Sequence, residues 1–142
     1  KPGKLTDLEW EIMREHTING TFILSSYPVP MAKEIALSHH EWWNGCGYPF
    51  KLEGEMIPLA ARIVTIADVY DALRMKRTYK EECTHEETVN KIYANRGTQF
   101  DPSLVDIFMR ISGEFSEIWS LLKDTDDRHN SRDDSKEFSE SL

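Results

Sequence analysis

Four side chains in this sequence could hold a metal: His16, His39, His40 and Asp68. Each sits within or at the end of an apolar helical run, where a polar side chain costs free energy unless it is paired. A metal ion supplies that pairing, and neutral imidazole is the commonest protein ligand near pH 7. Imidazole with carboxylate suits Fe, Mn, Zn or Ni, so the donor types do not choose among them. Taken singly, each residue has an ordinary alternative. His16 could be exposed or a satisfied core histidine, and Asp68 could cap, pair with Arg62 or Arg74, or bond a backbone group. Asp71, three residues on from Asp68 and on a neighbouring part of the same helix face, is more ambiguous still. The pattern in combination carries the reading.

The stretch around the histidine pair is the focus of the chain. It reads Ala36-Leu-Ser-His-His-Glu-Trp-Trp-Asn-Gly-Cys-Gly-Tyr-Pro-Phe50. An apolar helix ends on two adjacent imidazoles and a carboxylate. A turn rich in glycine follows, closed by Tyr48-Pro49. Residues 41–57 form a long connection, and loops of this length inside a compact domain are usually functional.

The helices that must position these groups are legible from their ends. Thr6-x-x-Glu9 is a capping box that starts a helix near Asp7, expected to last to about Ser25 with a weak point at Asn19-Gly20. Tyr27-Pro-Val-Pro30 breaks it. A second helix runs from about Met31 to His40, with Ile35, Ala36 and His39 recurring at helical spacing. Pro58 suits the first turn of a third helix, Leu59 to about Met75, whose apolar content marks it as central and buried. Thr84-x-x-Glu87 caps a helix to about Asn95, ended by Gly97. Asp101-Pro102 opens another to about Ser112, where Gly113 interrupts before a last amphipathic stretch, Phe115 to Leu122. No strand pattern is convincing, although a short hairpin within 50–57 stays open. The expected fold is all-α, a helical bundle of about five helices with a long Gly-rich loop.

Composition sets the limits. At 142 residues and 39% apolar, with four Trp, six Phe and five Tyr, the chain holds one domain with enough apolar area for a core. The expected division is a folded part over 1–122 and an acidic, disordered tail over 123–142. From Asp124 on, seven acidic residues stand against three basic, which is half of the chain's net charge of -8. That balance argues against a DNA or RNA backbone as partner and against an anionic membrane. An anionic substrate would need a local cationic or metal centre. Cys46 and Cys83 make no disulfide framework; a single bridge between them stays open, but they read better as reduced thiols of a cytoplasmic protein. No apolar run approaches the ~20 residues of a membrane span.

Read together, these motifs resemble the HD-GYP family. The resemblance rests on His39-His40-Glu41, Asn44-Gly45, Gly47-Tyr48-Pro49, Ile57-Pro58-Leu59-Ala60-Ala61-Arg62-Ile63 and Ala67-Asp68-Val69-Tyr70-Asp71-Ala72-Leu73. The opening Lys1-Pro-Gly-Lys-Leu-Thr6 and the later Arg77-Thr-Tyr-Lys80 join them, so that it covers roughly residues 1–110. It implies a helical bundle of the HD-domain type and a metal-dependent phosphodiesterase. Such an enzyme hydrolyses cyclic di-GMP, or a related cyclic dinucleotide, to the linear dinucleotide or GMP. It implies two or three ions, usually iron or manganese, with His16, His39, His40 and Asp68 as ligands. The nucleophile is then water activated by the metals, not a side chain. Tyr48 and Pro49 match the family's signature, in a loop that shapes the substrate rim or docks diguanylate cyclase (GGDEF) partners. Lys51, Arg77 and Lys80, with Asp71, are the rim residues to test for substrate contact. Lys51, Arg77 and Lys80 read equally well as solvated surface charge. Many family members are output domains of response regulators in two-component signalling, and a homodimer is compatible with the reading.

Departures from the pattern shape two rival readings. The family's naming His-Asp pair falls just upstream of the Lys-Pro-Gly-Lys-Leu-Thr segment, where this sequence begins, so the expectation is a chain truncated at its N-terminus, part of a longer signalling protein. Catalysis is then expected of the intact parent more than of this chain alone. Asn44 stands where Asp is commoner, and Thr78 replaces a common Pro. One rival is a non-catalytic module that binds nucleotide or docks partners through the loop 41–57. The other is a structural helical segment whose histidines are satisfied by protein hydrogen bonds.

Overall fold

The computed structural model describes residues 5–75 and 82–133. Among them are six α-helices and two single turns of 3-10 helix, with no strand. The helices are α1 (Asp7–Arg14), α2 (His16–Ile23), α3 (Pro30–Ser38), α4 (Leu59–Arg74), α5 (His85–Ala94) and α6 (Pro102–Asp133). Counting α1 and α2 as one helix bent at Glu15 gives the five expected from the sequence, and the fold is all-α as anticipated.

Local chemistry explains most of the boundaries. Both capping boxes form: the Thr6 hydroxyl accepts from the Glu9 amide while the Glu9 carboxylate accepts from Thr6, and Thr84 with Glu87 repeats the arrangement. Asp101 accepts from the Ser103 amide at 2.8 Å and so caps α6, with Pro102 at the first helical position. Gly97 takes a φ of +79°, which a side chain would resist, and closes the turn after α5.

Three details differ from the sequence reading. The first helix breaks at Glu15, not at Asn19-Gly20: the Glu15 amide bonds Ile12 at 3.2 Å in a tightened turn, and α2 restarts at His16. Gly20 instead serves packing, because a Cβ there would lie 3.6 Å from the Cβ of Ala36 on α3. Gly113 does not interrupt α6, which runs on to Asp133; a single glycine costs a helix only about 1 kcal/mol relative to alanine. No hairpin forms within 50–57; Asn44 and Glu53 make one isolated antiparallel bridge, and Gly54–Met56 form a 3-10 turn.

Two compact units result, Lys1–Met109 and Arg110–Leu142. In the first, α3 packs between α2 and α4, and α4 between α3 and α5. The core comprises Ile57, Ala61, Ile66, Tyr70, Val89, Ile92, Phe100, Val105 and Phe108. Helix α4 is central but not buried all round, since Leu59 and Ile63 are about half exposed. A buried ion pair closes this unit. Arg62 of α4 donates to Asp101 at 2.7 Å and to the Ile57 carbonyl at 2.9 Å, with its guanidinium 5.7 Å from the Trp43 ring centre. That pairing removes Arg62 as the partner of Asp68. The second unit is the remainder of α6, where Ile118, Leu121 and Leu122 are exposed. Both cysteines are free, Cys46 exposed and Cys83 buried.

Candidate metal centre

Helix α2 opens on His16, and α3 ends at Ser38, so that His39 is its C-cap and His40 follows directly. The close packing of α2 on α3 brings the three rings together. Each offers a nitrogen, and these nitrogens lie within 4.8 Å of one another. Ring centroids are 4.1 Å apart for His39–His40, 4.9 Å for His16–His40 and 5.4 Å for His16–His39.

The backbone sets the tautomers. His16 Nδ1 lies 2.6 Å from the Met13 carbonyl, and His39 Nδ1 lies 3.0 Å from the carbonyls of Ile35 and Ala36. A carbonyl only accepts, so each Nδ1 carries the proton and each Nε2 presents a lone pair. The two Nε2 atoms face each other at 3.4 Å. Two lone pairs so close require a proton or a cation between them. Histidine ligands to metals are oriented in this same way, by a hydrogen bond from the second ring nitrogen.

His40 completes the cluster in neutral form. Its pKa is lowered from 6.5 to about 4, first by burial, then by His39 and His16, with Asp68 pulling the other way. Asp68, exposed on α4, is thus near enough to act on His40 through its charge, while the tight cluster itself is the three histidines. Three imidazoles with a carboxylate close by are a donor set that fits a divalent transition metal.

A wall of loop residues supports the cluster. Tyr48 stacks on His40, with centroids 4.8 Å apart and planes 24° apart, and its amide donates to the His40 carbonyl at 3.1 Å. Burial pushes the Tyr48 phenol up, and Arg14, whose guanidinium lies 5.4 Å over the ring, works against that shift. The Tyr48-Pro49 peptide is cis. Gly47 has no alternative at its position: a Cβ there would meet Trp42 N at 2.3 Å, and Glu41 Cα and the His40 carbonyl oxygen at 2.5 Å. Glu41, 2% exposed, accepts from the amides of Phe50 at 2.7 Å and Leu52 at 3.0 Å and so clamps the loop from inside. The buried hydroxyl of Thr65 donates toward the His39 carbonyl at 2.8 Å, tying the histidine pair to α4.

Of the residues singled out from the sequence, His16, His39 and His40 converge, and Tyr48 with half-buried Pro49 borders them. Asp71 is exposed on α4. Lys51 is exposed with a φ of +56°. Arg77 and Lys80 lie outside the described residues. Sequence reasoning missed Arg14, Glu41 and Thr65 as site residues. Glu41 carried a signal, as a carboxylate directly after the histidine pair; Arg14 and Thr65 meet the site only through tertiary packing.

The HD-domain family pattern matches residues 1–104, and the chain belongs to the HD-domain family. Within it, the signature residues from His39 to Pro49 and the names of its relatives place it in the HD-GYP group. A probable cyclic di-GMP phosphodiesterase of Vibrio cholerae is 44% identical over 127 residues, covering 83% of this chain and 29% of the relative. The cyclic di-GMP phosphodiesterase response regulator RpfG of Xanthomonas campestris is 45% identical over 126 residues, covering 82% of this chain and 33% of the relative. Among solved structures, a cyclic GMP-AMP specific phosphodiesterase of V. cholerae superposes with a TM-score of 0.61 at 28% identity, over 76% of this chain and 25% of that one. The chain thus spans about a third or less of the length of these relatives.

Proposed function

We propose that this chain is the metal-binding part of a phosphodiesterase acting on cyclic dinucleotides, with His16, His39, His40 and Asp68 as metal ligands. The observation that carries the reading is the pair of opposed Nε2 lone pairs, each fixed by a backbone carbonyl. Bound there, a divalent metal would supply positive charge for the phosphate oxygens and activate water for attack on phosphorus. The chain's own residues do the positioning. Met13, Ile35 and Ala36 hold the imidazoles in the ligating tautomer, and a neutral His40 remains available through the physiological pH range. Tyr48 covers one face of His40 and narrows access to the cluster. Iron or manganese is the proposed metal, with two or three ions in the intact site and the linear dinucleotide or GMP as product. A cytoplasmic location is part of the same proposal; among the described residues no helix is long and apolar enough to cross a membrane.

The test is elemental analysis of the purified chain beside a His39→Ala/His40→Ala variant, followed by cyclic di-GMP hydrolysis by the longer parent carrying the same changes. Metal retained by the variant, or hydrolysis undiminished, would overturn the ligand assignment. A second reading is favoured by the exposure of Phe50 and Met56 on the loop, 59% and 65%. It is a docking face over residues 41–57 for a partner such as a diguanylate cyclase domain. Partner binding that survives loss of the histidines and weakens with Phe50→Ala would support it.

A further inference from the structure

Away from the histidine cluster, two reactive side chains meet beside α5. The ammonium of Lys91 donates to the Cys83 sulfur at 2.9 Å, across eight positions of sequence. Backbone bonds hold Cys83 in place: its amide donates to the Leu73 carbonyl at 2.9 Å, and Arg74 donates to its carbonyl at 3.4 Å. Cys83 is 8% exposed, but Lys91 stands in solvent. A sulfur that an exposed ammonium reaches lies directly beneath the surface, within range of a small molecule.

This setting differs from that of a cysteine packed as a small hydrophobe. The thiolate is the reactive form of cysteine, and a cation beside sulfur favours it. Lys91 supplies both that cation and a nitrogen able to bond to sulfur. The hydrogen bond to Cys83 raises the Lys91 pKa, so the resting nitrogen is protonated and does not attack. Thr88 neighbours Lys91 one turn back along α5. It is 0% exposed, and its hydroxyl has no hydrogen-bond partner among the described residues. A buried hydroxyl left so is costly unless a small polar guest pairs with it. Hydrogen peroxide is such a guest, and it starts a thiolate on its oxidation ladder.

We propose that Cys83 and Lys91 form a peroxide-responsive pair that closes to a sulfenamide. In the first step the Cys83 sulfur attacks one oxygen of hydrogen peroxide. The S–O bond forms, the O–O bond breaks, and the departing hydroxide takes up a proton and leaves as water. Sulfur is oxidised by two electrons, to the sulfenic acid, and peroxide is reduced. The charge that held the Lys91 proton is then gone. In the second step the neutral Lys91 nitrogen attacks sulfur. The N–S bond forms, the S–O bond breaks, and the hydroxyl leaves as water with a proton from nitrogen. Over both steps a thiol, an amine and one peroxide give a sulfenamide and two waters. Two equivalents of an added thiol reverse it, releasing the amine, the Cys83 thiol and one disulfide. Cys83 follows the connection in which Arg77 and Lys80 stand in sequence, so the link fastens the end of that connection to α5. The proposal is independent of the phosphodiesterase reading.

The test treats the EDTA-washed chain with hydrogen peroxide, adds dimedone afterwards to trap sulfenic acid, and follows tryptic peptides by mass spectrometry. The expected product is a peptide that holds Cys83 and stays uncut after Lys91, lighter than its reduced form by two hydrogens and restored by dithiothreitol. Cys46 is the comparison within the same molecule. It is exposed, and its sulfur meets the Asn44 carbonyl at 3.9 Å in place of an amine, so it should give the dimedone adduct alone. Lys91→Arg keeps a cation but lacks the attacking amine, and should turn the Cys83 link into a dimedone adduct. Lys91→Met removes the cation and should slow Cys83 oxidation several-fold. Cys83 that stays reduced while Cys46 reacts overturns the proposal. A sulfenic acid at Cys83 that stays unlinked in the wild type overturns the closure, and an oxidation rate unchanged in Lys91→Met overturns the role of Lys91.

Discussion

His16 Nε2 and His39 Nε2 lie 3.4 Å apart, although the two residues are 23 positions apart in sequence. Their Nδ1 atoms are both engaged by carbonyls of their own helical turns, so neither ring can turn its lone pair away without losing a hydrogen bond. A cation between them should therefore stabilise the fold. At a free metal concentration 100 times its Kd, the gain is about 2.7 kcal/mol. Thermal unfolding with and without EDTA checks this: the wild type should lose several degrees on chelation, and His16→Ala should show no chelator effect.

Without metal, acid should weaken the fold through His40. Its folded pKa of about 4 lies below the unfolded value of 6.5, so the unfolded chain binds the extra proton between those limits. The contribution is intact above pH 6.5 and is lost as pH falls toward 4. Urea unfolding in EDTA at pH 7, 5.5 and 4.5 should show this fall, and His40→Asn should flatten it. An identical pH profile in both proteins would refute the assignment.

Gly47 and Gly45 make a matched pair. At Gly47 an added Cβ would collide with backbone atoms at 2.3–2.5 Å, which no rotamer change relieves. At Gly45 the space is ordinary, 3.5 Å to the Glu53 Cβ, and only the φ of +74° resists a side chain. Gly45→Ala should cost about 1–2 kcal/mol, and Gly47→Ala clearly more. Chemical denaturation of the two variants would rank them.

Glu41 accepts two loop amides with a carboxylate that is almost fully buried. Glu41→Gln keeps the shape but offers one oxygen in place of two, leaving a buried amide short of its acceptor. The expected loss is about 1–3 kcal/mol. Because the clamp holds the loop that carries Tyr48, metal affinity should fall as well. Unchanged metal content and stability would count against the clamp.

Arg62→Met should be severe, about 3–5 kcal/mol, because Asp101 at 6% exposure would keep its charge without a partner. The double variant Arg62→Met/Asp101→Asn should recover part of that loss. A double-mutant cycle measured in urea separates the pair from its parts.

Much of this arrangement was legible before any coordinates. Thr6 and Thr84 announced their helices because a capping box is complete within four residues. His39 and His40 announced themselves as polar groups closing an apolar helix. What stayed hidden depends on distant partners. Gly20 read as a weak point because its neighbour Ala36 is 16 positions away, and only their contact shows that it is a packing residue. Arg62 looked available to Asp68 until Asp101, 39 positions on, took it. Arg14 drew no notice in the sequence because its companion at the site, Tyr48, arrives from the loop after α3. Gly113 misled in the opposite sense, since in open surroundings the helix absorbs it.

The loop after the histidine pair also has a bearing on folding order. Trp43 and Asn44 donate their amides to the carbonyls of Gln99 and Thr98, more than fifty positions later. The nascent chain therefore completes α1 through α5 before the support for this loop exists. Capped helices can form early and locally, whereas pairings across such sequence separation must wait for a costly loop closure. A late kinetic phase should accordingly be the one in which Trp43 and Asn44 seat on Gln99 and Thr98, so the chain becomes helical well before the loop that carries Tyr48 is fixed.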